Sequence, residues 1–210
     1  MRLCATGQFG AVRRVLQRWL YSDRVAVCLR RDLSTPVRTR SPSVRLTVRP
    51  LRPEDVPALV ELPKGDGRTA DALVRINARH LLDSGLATCY VTETDDGEVC
   101  YMQYLVLPDQ NEKLQSVFGG LMPPLAADEA LLEFAFTLEP YRARGVMPYA
   151  MAQLADEARR QGARWLLTYV DKHEKLLLRF YERMGFSPYR LRRESYRFLR
   201  RRVAVTPVAA

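Results

Sequence analysis

Two arginines and a glycine stand where a strand-like run gives way to a helical one. Arg142, Arg144 and Gly145 follow the apolar run ALLEFAFTL and precede a helix expected at 147–161. The first N–H groups of a helix have no partner inside the helix, and the helix dipole adds partial positive charge there. Because glycine lets the backbone approach a ligand closely, the segment predicts a site for an anion such as a pyrophosphate. Taken alone, it is equally typical of a strand–helix turn with surface arginines.

A second segment, FYERMGF at 180–186, places Gly185 at the end of a helix and Phe186 at the start of a strand. Alone it predicts a helix C-cap followed by a buried aromatic side chain. Together the two segments resemble the GNAT (Gcn5-related N-acetyltransferase) superfamily. Residues 137–149 are similar to its acyl-CoA loop, Arg/Gln-x-x-Gly-x-Gly/Ala, and residues 170–186 to its second signature, which often ends in a phrase like FYEKLGF. The resemblance covers about residues 44–202.

The resemblance implies acetyl-CoA, or another acyl-CoA, as co-substrate. The implied binding residues lie at a strand end, in the loop and at a later helix: Phe136, Thr137, Leu138, Arg142, Arg144, Gly145, Val146, Met147 and Glu174. The strand would pair with the pantetheine arm, and a backbone N–H near Leu138 would hold the oxyanion. Four residues depart from the family pattern. Met147 replaces a Gly or Ala, Pro148 removes one N–H donor, and Asp171 and Glu174 stand where the family often has Asn.

Catalysis by this family implies an acid and a base. Tyr181 matches the tyrosine that protonates the departing CoA thiolate, and a phenol keeps its proton at neutral pH. An alkylamine is almost fully protonated at pH 7, so a base must take its proton. Glu133 is our candidate, since it is a lone carboxylate in an apolar run, where burial would raise its pKa; Glu139 and His173 are weaker choices. The alternative is that Glu133 faces solvent or pairs with an arginine.

The elements around these residues predict an α/β (α+β) fold. We expect a mixed, mostly antiparallel sheet with flanking helices and one right-handed parallel β-α-β crossover at 130–170. Strands expected at 87–94 and 98–106 are joined through Asp95-Asp96-Gly97, a strong hairpin signal. A Pro- and Gly-rich loop is expected at 107–127, and a basic strand or hairpin at 187–202. The predicted division is a basic extension at 1–43 (a helix, a strand and a linker at 32–43), a catalytic domain at 44–204 and a flexible tail at 205–210.

Charge and cysteine content bear on metal binding and on the cellular location. The net charge is +9, and the excess of Arg is concentrated in residues 1–45 and 189–202. Four cysteines form no C-x-x-C pair, so we expect no structural metal and a reduced, cytoplasmic location. The acid-poor N-terminus also resembles a mitochondrial transit peptide, which leaves that compartment as an alternative. No apolar run reaches the roughly 20 residues of a membrane span.

The sequence therefore predicts an N-acyltransferase, most simply an N-acetyltransferase, acting on a small amine, with a homodimer left open. One alternative is a non-catalytic acyl-CoA-binding module. Another is a nucleic-acid-associated protein that uses its basic ends, which we regard as unfavoured because YRLRRESYRF also describes an edge strand protected by charge.

Overall fold

A computed structural model describes residues 21–37, 41–61, 70–86, 88–198 and 200–208. Within these residues the strands are β1 (Tyr21–Asp32), β2 (Leu46–Pro50), β3 (Cys89–Thr94), β4 (Val99–Val106), β5 (Glu129–Thr137), β6 (Trp165–Asp171), β7 (Ser187–Arg197) and β8 (Arg200–Pro207). The α-helices are α1 (Val56–Val60), α2 (Ala70–Asp83), α3 (Asn111–Val117), α4 (Val146–Arg160) and α5 (Lys175–Arg183). Short 3-10 helices occur at Pro53–Asp55, Pro108–Gln110 and Glu139–Tyr141. The helix expected at the N-terminus lies outside the described residues.

All eight strands form one sheet in the order β2-β3-β4-β5-β6-β1-β7-β8. Neighbouring strands are antiparallel except β5 and β6, which are parallel and joined through α4. The predicted mixed α/β fold, with one parallel crossover inside a mostly antiparallel sheet, is therefore confirmed. The expected ending as a hairpin is also present, because β7 pairs with β8.

Strand β1 lies inside the sheet and not beside it. It is hydrogen-bonded to β6 on one side and to β7 on the other. Residues 21–32 therefore belong to the same sheet as strands of the domain expected at 44–204, and the division expected at residue 43 stays a prediction. Residues 205–207, expected to be part of a flexible tail, instead belong to β8, which continues to Pro207.

The loop expected at 107–127 is partly helical, and this expectation is also corrected. It contains α3, whose Leu114 is fully buried in the core. The Asn111 side chain accepts a hydrogen bond from Leu125 N–H and donates one to the Leu125 carbonyl. These two bonds close the remaining loop onto the helix.

The sheet separates two layers of helices. Alternate residues of a strand point to opposite faces, and on β5 Leu131 packs with α1, α2 and α3, whereas Leu132 packs with α4 and α5. Leu167 and Leu166 divide in the same way on β6. A group on either strand can therefore be assigned to one face.

Strands β5 and β6 pair only at their first residues. The register joins Glu129 to Trp165, Ala130 to Leu166 and Leu131 to Leu167, and no described pair follows. A bulge then bends β5, since its pairing with β4 shifts by one residue and Phe134 has a φ of 51°. The two strands thus diverge and leave an opening between their C-terminal halves.

Candidate active site

The loop that carries Arg142 to Met147 lies between β5 and α4. Gly145 precedes the first residue of α4 with a φ of 80°. A Cβ at this position would lie 3.1 Å from Pro42 Cα, so both the backbone conformation and the close approach require glycine. The neighbouring Ser43 donates from its N–H and its hydroxyl to the Arg144 carbonyl. The segment before β2 therefore holds the loop in place.

The N-terminus of α4 offers few but well-placed donors. The N–H groups of Val146 and Met147 belong to the first turn, where they have no partner within the helix. Pro148 contributes none, and Tyr149 donates to the Gly145 carbonyl. The guanidinium of Arg144 lies 5.7 Å from the centre of the Tyr141 ring, beside this turn.

Arg142 is already engaged. Its Nη2 lies 2.7 Å from Asp71 Oδ1 on α2, and its Nε donates to the Thr137 carbonyl. The side chain therefore links α2, the end of β5 and the anion loop. Its charge is partly matched by Asp71, which leaves Arg144 and the backbone as the main positive groups of the loop.

The end of β5 presents its backbone in two directions. The N–H of Leu138 donates to the Cys100 carbonyl at 2.9 Å and so is not available to a substrate. Successive residues of an antiparallel strand direct their N–H groups to opposite sides, so the Thr137 N–H points away from β4, toward the opening. The oxyanion donor that we expected near Leu138 is therefore not the Leu138 N–H itself.

Tyr181 reaches the opening from the α4–α5 face. The residue is buried on α5, its ring is edge-on to Phe180 and Phe186, and its hydroxyl is hydrogen-bonded to Thr168 on β6. Burial raises its pKa to about 12, against the lowering influence of the Thr168 hydrogen bond. The phenol consequently holds its proton throughout the neutral range.

The Glu133 side chain lies on the opposite face of the sheet, the face to which Leu131 of the same strand also points. Its Oε2 atom is out of contact with solvent and, among the described residues, has no hydrogen-bond partner. Burial raises the pKa of this carboxyl to about 7, while the charge of Arg192 and the Phe134 N–H act in the opposite direction. The charge of Glu133 in turn raises the pKa of Tyr181. The two candidate catalytic groups thus lie close enough to interact.

Glu174, another predicted binding residue, directly precedes α5. It is exposed at the N-terminus of α5, and its described hydrogen bonds join its backbone only to Asp171 and Leu178. Two residues that the sequence analysis did not select, Arg192 on β7 and Tyr169 on β6, lie in the same cavity as Glu133. The alternation of the basic strand was the available signal for Arg192, but it did not show which face was covered.

Other possible sites are limited in the part of the chain that the structure describes. It contains no group of three or more His, Cys, Asp and Glu side chains arranged to hold a metal ion. None of its helices is long and apolar enough to cross a membrane. Cys28, Cys89 and Cys100 are free and buried, and burial raises the pKa of each thiol.

Comparisons with known proteins agree with this geometry. Residues 68–186, more than half of the chain, match the model of the acetyltransferase (GNAT) family. Acetyltransferase Atu2258 of Agrobacterium fabrum is 35% identical over 72 residues, which cover 34% of this chain and 51% of that protein. The chain is thus matched to about half the length of that curated relative.

Two solved structures share the fold. One is a GCN5-related glucosamine N-acetyltransferase region of a fungal multi-domain β-N-acetylglucosaminidase, with a TM-score of 0.57 and 16% identity over 92% of this chain and 23% of that one. The other is a GNAT-family acetyltransferase from Colwellia psychrerythraea, with a TM-score of 0.51 and 10% identity over 97% and 63% of the two chains. With the family match, the loop before α4 and the opening between β5 and β6, the chain belongs to the acetyltransferase (GNAT) family.

Proposed function

We propose that this protein is an N-acyltransferase that passes an acyl group from acetyl-CoA, or another acyl-CoA, directly to an amine. The observation that carries the proposal is the placement of Glu133 and Tyr181. They approach one opening in the sheet from opposite faces, one with a pKa suited to a base and the other with a pKa suited to an acid. Family membership supports the same chemistry.

The donor would bind on the α4 side of the sheet. Its pyrophosphate would contact the N–H groups around Gly145, Val146 and Met147, with Arg144 adding charge. Its pantetheine arm would follow the end of β5, where the Thr137 N–H is directed into the opening. Arg142 would join this set only by loosening its ion pair with Asp71.

The acceptor would approach from the Glu133 side. Glu133 takes one proton from the ammonium, and the nitrogen lone pair then forms the C–N bond as the C–S bond breaks. The Thr137 N–H is placed to hold the negative charge on the carbonyl oxygen. Tyr181 gives its proton to the sulfur, and the second proton lost by the nitrogen replaces it through solvent. The net products are an amide, free CoA thiol and one proton.

The family as a whole acts on small-molecule or protein amines, and the acceptor of this protein would be a small-molecule amine. The cavity beside Glu133 measures ≈ 280 Å³, and Leu121 and Met122 of the loop that follows α3 form part of its wall. A space of this size favours a small amine over a protein side chain with its flanking residues. A cytoplasmic location and a possible homodimer stay predictions.

Calorimetric titration of acetyl-CoA tests the donor site. We expect micromolar binding to wild type, on the order of −8 kcal/mol, and loss of binding in Gly145→Asp, which adds a charge and a Cβ at the loop. Gly162→Ala is the control, because Gly162 at the other end of α4 also has a positive φ, 90°, but a Cβ there meets nothing within 4 Å.

Binding must be followed by turnover. A non-catalytic acyl-CoA-binding module would bind acetyl-CoA in wild type and release no CoA thiol with any amine. Absence of acetyl-CoA binding to wild type would refute the proposed function as a whole.

A further inference from the structure

One cavity in the structure is built largely by strands that the family match leaves out. Glu133 and Tyr169 face it from β5 and β6, while Arg24 of β1 and Arg192 of β7 complete its wall. Neither β1 nor β7 falls within the matched residues 68–186. Arg24 and Arg192 therefore lie outside the residues matched by the family model.

Arg192 is a partly buried cation whose closest described side-chain contacts are uncharged. Its guanidinium lies 4.5 Å from the centre of the Tyr169 ring, and its Nη1 lies 2.9 Å from the Met122 sulfur. A thioether is a weak acceptor and an aromatic face carries no net charge. In the described part of the chain, no carboxylate lies within ion-pair distance of Arg192. A cation withdrawn from water is costly unless it is paired, so this position favours an anion supplied from outside.

Two carboxylates that line the cavity, Glu194 and Asp171, accept hydrogen bonds from other groups. Glu194 Oε1 accepts a hydrogen bond from Arg201 Nε at 2.8 Å, and Asp171 Oδ1 accepts one from the His173 N–H. The charges of Glu133 and Glu194 both act on Arg192, but neither carboxylate forms an ion pair with it. Arg24, exposed at the cavity, is also without an ion pair among the described residues. Two arginines thus share a cavity with the candidate base.

We infer that the acceptor is a small amine bearing an acidic group, which Arg192 and Arg24 bind while the amine nitrogen points at Glu133. This inference rests on the proposed function and names its substrate class. The acidic group is a carboxylate, a sulfonate or a phosphonate, each of which accepts hydrogen bonds from a guanidinium. The second end of the cavity, at Glu133, selects for the positively charged amine.

A matched panel of amines tests the inference. The probes are β-alanine, taurine and 2-aminoethylphosphonate, with β-alaninamide as the neutral counterpart, and L-amino acids compared with their amides. Release of CoA thiol from acetyl-CoA is followed for wild type, Arg192→Gln and Arg193→Gln. Arg193 is the control because it is the next residue of β7, points to the other face and is exposed beside Asp23.

We expect wild type to prefer at least one acidic amine over its neutral counterpart. Arg192→Gln should lower kcat/KM for that amine roughly 10–100-fold, mainly through KM, and change the neutral amine less than about threefold. Arg193→Gln should leave kcat/KM unchanged for both amines. Arg192→Gln should leave the Kd for acetyl-CoA unchanged. Which acidic probe is preferred decides between carboxylate, sulfonate and phosphonate.

Three results would overturn the inference. Equal use of acidic and neutral amines, or equal loss for both in Arg192→Gln, would refute the acidic acceptor and leave the proposed function standing. Failure of wild type to bind acetyl-CoA would refute the proposed function and this inference together.

Discussion

At the scale of single residues, burial moves Glu133 and Tyr181 in the same direction with opposite chemical results. It raises the pKa of the carboxyl from 4.5 to about 7 and that of the phenol from 10.0 to about 12. A carboxylate near pKa 7 is a much better base than an ordinary glutamate yet is still ionised in a useful fraction at pH 7. The phenol, in contrast, becomes more certain to carry the proton that the thiolate needs.

Replacement of Glu133 by Gln tests the base through a pH profile. Only the ionised carboxylate accepts a proton, so wild-type kcat/KM should rise with pH through about 7 and then level off. Glu133→Gln should lower kcat/KM on the order of 10²-fold or more and lose this limb. A variant that keeps both the rate and the limb would contradict the assignment.

The same variant has a stability signature that separates burial from catalysis. The folded pKa of about 7 lies above the ordinary 4.5, so the folded state holds the proton more tightly. Stability contributed by Glu133 is therefore present below pH 4.5 and is lost as the pH rises through about 7. Urea unfolding at pH 8 should show Glu133→Gln more stable than wild type by about 1–3 kcal/mol, with little difference at pH 4.5.

At the residue level, the sequence indicated candidates only where a local pattern carried the information, and their roles stay predictions. Glu133 was identifiable because one charge interrupts an apolar run, and Gly145 because a strand meets a helix there. Arg192 was not, because its role depends on which strands flank β7, and no local pattern encodes that.

At the scale of elements, a cluster of charged side chains links β2 to the 3-10 helix at Pro53–Asp55. Arg49 on β2 donates to both oxygens of Asp55, at 2.7 and 2.8 Å, and to Glu93 on β3. Asp55 also accepts from the Arg52 N–H and is 5% exposed. The hydrogen bond from Arg49 is the main influence that lowers the pKa of Asp55.

Removal of the Asp55 carboxylate should be strongly destabilising. Asp55→Ala leaves Arg49 partly unmatched in a buried position, and we expect a loss of about 3 kcal/mol in the free energy of unfolding. The control is Asp95→Ala, whose partner Arg45 is 3.9 Å away with 90% of its side chain exposed, so almost no change is expected.

Because the pKa of Asp55 is lowered in the folded state, its contribution to stability is present above pH 3.8 and is lost as the pH falls through the folded pKa. Equal effects of the two substitutions in urea titrations would contradict this account.

Element prediction from sequence was accurate where periodicity was strong. Helix α4 begins and ends one residue before the expected range 147–161. The crossover expected at 130–170 runs from Glu129 to Asp171. Helix α3 was missed because Pro and Gly at both ends of 107–127 obscured a seven-residue segment. Leu114, Val117 and the following Phe118 are spaced as in a helix, but the segment has too few turns for this spacing to predict one.

At the scale of the whole molecule, β1 determines whether the sheet is continuous. It pairs with β6 from Ala26 to Asp32 and with β7 along most of its length. It also contributes Arg24 to the acceptor cavity. The order of strands was beyond sequence reasoning, because the partners of β1 lie at the far end of the chain.

Two truncations test this role. A chain that begins at residue 33 lacks β1 and should lose cooperative thermal unfolding, since β6 and β7 would face each other without a common partner. A chain that begins at residue 21 keeps β1 and serves as the control, with cooperative melting expected by circular dichroism. Cooperative melting of the shorter chain would show that residues 21–32 are dispensable to the sheet.

The position of β1 also bears on how the protein is made. Its apolar segment VAVCL is synthesised well before β6 and β7, since more than 130 residues separate β1 from β6. At ~5–20 residues per second, the strand waits on the order of ten seconds before either partner exists. During that time it is an unpaired strand of the kind that associates with other chains. Yield in the cell should therefore depend on translation speed and on chaperones that shield β1 in the nascent chain, more than the stability of the finished protein would suggest.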